Sequence, residues 1–305
     1  KLSVFDGGSH WGIRGSAEAG EGLTAVYRFE HNISTKDASM PDGRLSYVGL
    51  SGGFGTVTVG QIWSASYNLV GAITDNSWFW GSSQTTYRHG HAVSYAFSND
   101  LMSLQIDAVY DLYKFYKHSP VSSNLSFVRD EDLERTEFGL SVNVGDIGKV
   151  AIVHVDDRNI LTDPDGNEAL SSGDSFSRSK TTTLAAEVSV SDLTAYIGTQ
   201  TEKDICQSGF LGTGGVISLG PCTTVITKAK TTFFGLRGGL GDTGLSYLFQ
   251  WRDVKDSHQP WLLSLTKDLG ENAALVLEHV NYDGSPGHDG ASGGNRTGVA
   301  LAVHF

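Results

Sequence analysis

The chain has 305 residues, 39% of them hydrophobic and 18% charged, with a net charge of −12. No apolar run approaches the ~18 residues that a membrane-spanning helix needs, which excludes a helical transporter. The acidic balance argues against a nucleic-acid-binding surface, and 14 Phe, 11 Tyr and 6 Trp spread along the chain exclude general disorder.

From the N-terminus onward the pattern has a period of two. Leu23, Ala25, Tyr27 and Phe29 alternate with Thr24, Val26, Arg28 and Glu30. Successive side chains of a strand point to opposite faces, so this segment has one greasy and one wet face. The pattern returns at Val93–Phe97, Phe138–Val144, Leu184–Val190, Leu245–Trp251 and Val299–Phe305. Fifteen strands are expected, at roughly 9–16, 22–32, 43–51, 55–63, 86–97, 101–112, 134–144, 149–157, 179–190, 192–202, 228–238, 243–252, 260–268, 272–282 and 295–305. Short Gly/Asn/Asp turns, such as Gly52-Gly53-Phe54-Gly55, Ser98-Asn99-Asp100 and Gly239-Leu240-Gly241-Asp242, alternate with longer connections. The longer ones lie at about 33–42, 64–85, 113–133, 158–178, 203–227, 253–259 and 283–294. In an up-and-down sheet this places every tight turn at one end and every long loop at the other.

A soluble sandwich would bury the greasy face in a core. A single large sheet can instead close on itself and turn that face to lipid, leaving a wet interior that accommodates the charges. No compositional break marks a second domain, so residues 1–305 read as one barrel domain. The hairpin spacing resembles a propeller repeat, but no Gly-His or Trp-Asp signature recurs. The expected fold is therefore all-β, a transmembrane antiparallel barrel.

Certain residues resemble a known family. The run from Ser9 to Glu18, with Trp11, Gly12, Arg14 and Gly15, is similar to the early strand and turn of the general porins of the Gram-negative outer membrane. Arg44-Leu45-Ser46-Tyr47-Val48-Gly49-Leu50-Ser51-Gly52-Gly53-Phe54-Gly55-Thr56-Val57-Thr58-Val59-Gly60 is close to that family's R-x-x-Y-V-G-L-x-G-x-F-G-x-[VLI]-x-x-G. Three features depart from the family pattern: Gln61 and His10 stand where it usually has Arg, and the L-Y-G strand that normally comes first is absent. The resemblance implies sixteen strands, a homotrimer with one pore per subunit, no cofactor, and passive diffusion of small hydrophilic solutes and ions rather than catalysis. It also implies that terminal Phe305 belongs to an assembly signal. Bacterial barrels have an even number of strands, so fifteen leaves one upward strand to be expected before residue 9, upstream of what residues 1–6 can supply. Two alternatives stand beside the diffusion channel: a substrate-specific channel, and a barrel acting in adhesion through its loops.

The inferred inner face carries Arg14, Arg28, Arg44 and Arg88. The connection 64–85 is unusually apolar and has Asp75 as its one carboxylate. In the family this loop folds inward and narrows the pore. A basic wall facing Asp75 would set up a transverse field; alternatively the arginines pair with luminal carboxylates such as Glu30. Cys206 and Cys222 have no zinc spacing and form either one loop disulfide, the expected state, or two free thiols. Asp163, Asp165 and Glu168 have oxygen spacings that suit a small Ca²⁺ loop, or simply form an exposed turn. The acidic run Arg129–Glu134 reads either as a holder of divalent ions bridging lipopolysaccharide phosphates or as a solvated rim. His89 and His91, two apart, are expected on one strand face. Neither an H-E-x-x-H nor a G-x-S-x-G motif is present, so no enzyme is expected.

Overall fold

In the computed structural model, residues 8–40, 43–74, 77, 88–110, 133–162, 175–211, 217–218, 228–255, 259–282 and 295–304 are described. The strands are β1 His10–Gly20, β2 Leu23–Asn32, β3 Gly43–Gly52, β4 Gly55–Trp63, β5 Arg88–Ser98, β6 Met102–Tyr110, β7 Leu133–Val144 and β8 Gly148–Thr162. They continue with β9 Ser175–Val190, β10 Leu193–Leu211, β11 Ile217–Ser218, β12 Lys228–Gly239, β13 Leu245–Val254, β14 Trp261–Gly270, β15 Ala273–Asn281 and β16 Asn295–Val303. Each pairs antiparallel with its neighbour in one sheet, and the two-residue β11 is a side piece on β10. The other fifteen match the fifteen expected from alternation, and β8, β9 and β10 run further into their loops than expected.

Alternation decides the two faces. Ile13, Phe29, Val48, Val59, Ile106, Phe138, Ile152, Leu184, Ile197, Leu277 and Leu301 stand exposed on one face of the sheet. The opposite face carries Arg28, Glu30, Gln105, Glu137, Thr183, Gln200, Gln250 and Glu278, largely buried. This is an inside-out arrangement relative to a soluble protein, with greasy residues outward to lipid and polar ones inward. Among the described residues no helix is long and apolar enough to cross a membrane.

The inner face is strongly concave. His89 of β5 reaches Glu137 of β7, Arg237 of β12 reaches Glu187 of β9, and Tyr196 of β10 reaches Gln250 of β13, each over an intervening strand. Such contacts need the polar side chains to converge as the sheet rolls inward. At the two edges, β1 and β16 do not pair with each other among the described residues. With fifteen strands in the path they run in the same direction, so a strand antiparallel to both would complete the ring.

Two irregularities set the positions of charged residues. The β2–β3 register shifts at Glu30/His31, where Leu45 and Gly43 are the partners, so Arg44 falls in the bulge. Gln61 on β4 donates to the carbonyls of Gly43 and Arg44 and holds that bulge in place. The β4–β5 register also shifts, between the Gly60–Ala92 and Ile62–His89 pairs. His91 lies in this second bulge with φ 50 and stands exposed, while His89 is buried on the inner face. The expectation that the two histidines share a face is thus corrected: the extra residue breaks the period of two between them.

Candidate functional site: an inward loop and an arginine wall

After β4 the chain does not stay at the rim. Ser66–Gly71 form a π-helical turn that continues into a short helix, Ala72–Thr74, and Leu69, Val70 and Ile73 are buried. They join a cluster with Ala151, Val153 and Val155 of β8, Ala185 of β9, Tyr196 of β10 and Phe233 of β12. The loop therefore lies against the inner wall, and its apolar composition is explained by what it covers. Space is made for it: a Cβ on Gly139 would stand 2.6 Å from Leu69 Cδ1 and 3.1 Å from Val153 Cγ2. Gly235 and Gly198 in turn sit beneath the rings of Tyr196 and Phe233, which pack flat along β10 and β12.

Hydrogen bonds from the loop fix its height. Asp107 Oδ2 accepts from the backbone N–H of Ala65 at 2.6 Å. Glu137 Oε2 accepts from both the N–H and the hydroxyl of Ser66, each at 2.9 Å. Gln105 donates to the Trp63 carbonyl at 3.0 Å and accepts from the Asn68 amide at 2.8 Å. On its other oxygen Glu137 accepts from His89 Nε2 at 2.7 Å and from Arg135 Nε and Nη2 at 3.0 and 2.6 Å. Arg135 Nη1 donates to Asp157 Oδ2 at 2.6 Å. Removing one member of a buried, hydrogen-bonded charge network costs about 3–5 kcal/mol, because its partners are left uncompensated.

The facing wall is built differently. Arg14 on β1 pairs directly across the sheet with Arg28 on β2, and Arg14 is exposed. Arg28 forms an ion pair with Glu30, its Nε 2.5 Å from Oε1. Arg44, turned inward by its bulge, reaches the other Glu30 oxygen at 3.2 Å. Arg44 and Arg88 both lie over the Trp63 ring, 5.0 and 5.5 Å from its centroid, and Tyr67 of the loop stacks on Trp63 at 4.3 Å. Arg28, Arg44 and Arg88 are thereby gathered around one carboxylate and one indole where the loop departs from β4.

Asp75, Cys222, Asp163, Asp165, Glu168 and Phe305 lie outside the described residues, as does the acidic run up to Asp132. Cys206 falls on β10, with only its backbone described. Among the described residues no three His, Cys, Asp or Glu side chains group as a metal site. Sequence reading missed Glu137, Asp107 and Arg135. Their inward positions were visible in the alternation, but nothing local indicates that Ser66, 71 residues earlier than Glu137, lands on them.

A barrel of up-and-down strands with a wet interior, greasy exterior and one loop folded inside defines the porin class. The chain matches the description "Gram-negative porin" over residues 2–303 and belongs to that family; it is an outer-membrane protein. Among solved structures it is similar to the anion-selective porin from Comamonas acidovorans, with a TM-score of 0.68 and 17% identity, covering 97% of this chain and 88% of that one. It is also similar to OmpT of Vibrio cholerae in its trimer form, with a TM-score of 0.67 and 11% identity, covering 99% and 93% of the two chains. A stretch of 64 residues is 39% identical to the major outer membrane protein P.IA of Neisseria meningitidis serogroup C. That match spans 20% of this chain and only 16% of the relative.

Proposed function

We propose that the protein is a passive diffusion channel for small hydrophilic solutes and ions, in one barrel domain, with no catalytic step and no cofactor. The observation that carries this reading is the seating of Ser66–Thr74 on the inner wall, opposite a polar wall that bears Arg14, Arg28, Arg44 and Arg88. A loop bound to one side narrows the lumen without plugging it, and the remaining passage runs along the arginines. Charged groups lining a low-dielectric passage focus the field on passing ions. Glu30 offsets part of the positive charge, so only weak ion selectivity follows, with Asp75 as the proposed acidic counterpart. A homotrimer with one pore per subunit is proposed alongside, supported by the trimer form of the Vibrio cholerae OmpT structure. The loop disulfide between Cys206 and Cys222, the assembly role of Phe305 and loop Ca²⁺ at Asp163, Asp165 and Glu168 stay part of the proposal.

Planar-bilayer recording tests the reading. The purified protein is expected to give stepwise, ohmic currents with a linear dependence on salt concentration. A sealed barrel with no steps would refute the channel and favour a role in surface contacts.

A further inference from the structure

The inward loop is held differently at its two ends. At its start, Ala65, Ser66 and Asn68 bond to Asp107, Glu137 and Gln105 on β6 and β7. Further on, the short helix Ala72–Thr74 lies against β9, and Ile73 shares one buried cluster with Ala185, Tyr196 and Phe233. The support on that side is a floor of two aromatic rings laid over two glycines.

Phe233 of β12 pairs with Gly198 of β10, and Tyr196 of β10 pairs with Gly235 of β12. Each ring crosses to the other's strand and covers the glycine there: a Cβ on Gly198 would overlap Phe233 Cε2, and one on Gly235 would overlap Tyr196 Cζ. A ring over a glycine can lie flat, whereas over any other residue it must stand clear of a Cβ. Beyond Gly235 the register brings Gln250 of β13 into the same row, and its Oε1 accepts from the Tyr196 hydroxyl at 2.6 Å. That bond gives a buried phenol its partner and pins the ring across the width of β12. Tyr196 is 1% exposed, and Phe233 and Gln250 are fully covered.

A flat floor sets how deep the loop can sit. The three atoms nearest to a Cβ on Gly235 all belong to Tyr196, so a side chain there acts first on this ring; at Gly198 it would also meet the Leu184 carbonyl oxygen at 2.5 Å. Ordinary carbon contact is about 3.5–4.0 Å, so with alanine at 235 the Tyr196 ring must rise by on the order of 1 Å. The β12 backbone closes the way down, and the loop residues of the cluster lie inward. A raised ring pushes Ile73 off the wall and into the lumen, on the side of the passage.

We propose that Tyr196, Gly235 and Gln250 are positioning residues that fix the depth of the inward loop and thereby set the size limit for uncharged hydrophilic solutes. The assignment rests on the diffusion-channel reading. None of the three carries a charge at neutral pH, so their effect is on width and not on the field of the arginine wall.

The test uses the full chain and its variants Gly235→Ala, Tyr196→Ala and the double variant, with unit conductance from planar bilayers and liposome swelling in neutral mono- and trisaccharides. Gly235→Ala is expected to lose unit conductance and to lose trisaccharide swelling before monosaccharide swelling. Its reversal potential in a KCl gradient and its circular dichroism are expected to stay at the wild-type values, which separates loop depth from charge and from barrel stability. The double variant, with no ring to lift, is expected to regain wild-type trisaccharide swelling or more. Tyr196→Ala alone needs no extra space and is expected to raise the trisaccharide-to-monosaccharide ratio. Gly235→Ala with wild-type conductance and swelling overturns the assignment. So does a double variant as narrow as Gly235→Ala, since the effect would then not run through the ring, and so does an unchanged ratio in Tyr196→Ala. A wild type with neither current nor swelling refutes the channel reading and this assignment with it; a conducting wild type with any of the three contrary results refutes this assignment alone.

Discussion

The wall of β5–β12 and the wall of β1–β4 use ionisable residues in opposite ways. On the first, Asp107, Glu137, Arg135, Asp157 and His89 are buried under or beside the loop: Glu137, Arg135, Asp157 and His89 bond one another and Ser66, and Asp107 accepts from Ala65 and Gln105. On the second, Arg28 and Arg44 share the single carboxylate of Glu30, and Arg14, across from Arg28, is exposed. The same residue types therefore serve fixation on one side and a field on the other. What separates the two walls is the loop: covered charges must be matched one to one, whereas charges facing water can stay in excess.

The largest effect is expected on the covered wall. Glu137→Ala leaves Arg135 with Asp157 alone, takes the carboxylate from His89 and removes the one oxygen that accepts from both the N–H and the hydroxyl of Ser66, at a local cost of about 3–5 kcal/mol. The loop should leave its seat, seen as unstable sub-conductance levels in single-channel records while the barrel's circular dichroism is kept. Steady wild-type currents in this variant would show that the apolar seat alone holds the loop.

Gly139→Val sharpens the same side by sterics instead of charge. Its Cβ would press on Leu69 Cδ1 at 2.6 Å, and overpacking of this kind costs about 1–3 kcal/mol. Proteolysis within 64–74 should be faster than in the wild type, and Gly139→Ala should lie between. An unchanged rate in both variants would mean that the loop side chains shift freely.

On the open side, where Arg88 at the start of β5 joins the arginines of β1–β4 over Trp63, the expected change is in selectivity, not in stability. Arg28→Gln with Arg88→Gln should move the reversal potential in a KCl gradient toward cation preference, by several millivolts at low salt and less at high salt, where screening shortens the reach of each charge. An unmoved potential would take both arginines out of the ion path.

The smallest effect lies outside both walls. In the β2–β3 loop, Asp37 accepts from the side chain of Ser34 and from the N–H and hydroxyl of Ser39, which holds its carboxyl at about 2, below the ordinary value of 3.8. A group with a depressed folded-state value stabilises the loop above about pH 4 and loses that contribution as pH falls through about 2. Nuclear magnetic resonance titration of Asp37 should give a midpoint near 2, whereas a midpoint near 4 would show that the turn does not form.

Much of this was legible in the sequence, because the barrel's two solvents print a period of two on every strand. Leu23–Glu30 already separates lipid from lumen, and Gly52–Gly55 already marks a tight turn. Arg28 could be assigned inward from its neighbours alone. Arg44 and His91 show where the rule stops: each sits at a bulge, and one inserted residue changes the face without changing the local composition. The anchors of the loop were not legible either. Glu137 resembles any inward carboxylate until the fold brings Ser66 to it, since that contact depends on how far the sheet rolls between β4 and β7.

The contrast between a covered and an open wall is tested most directly by thiol accessibility in the open channel. In a Cys206→Ser, Cys222→Ser background, Arg14→Cys and Ala151→Cys place one thiol on each wall. A charged methanethiosulfonate reagent added during recording should lower the conductance of the Arg14→Cys channel within minutes and leave Ala151→Cys, buried beneath the loop, unaffected. Rapid block of Ala151→Cys with no effect at Arg14→Cys would place the passage on the wrong side of the loop and contradict the account.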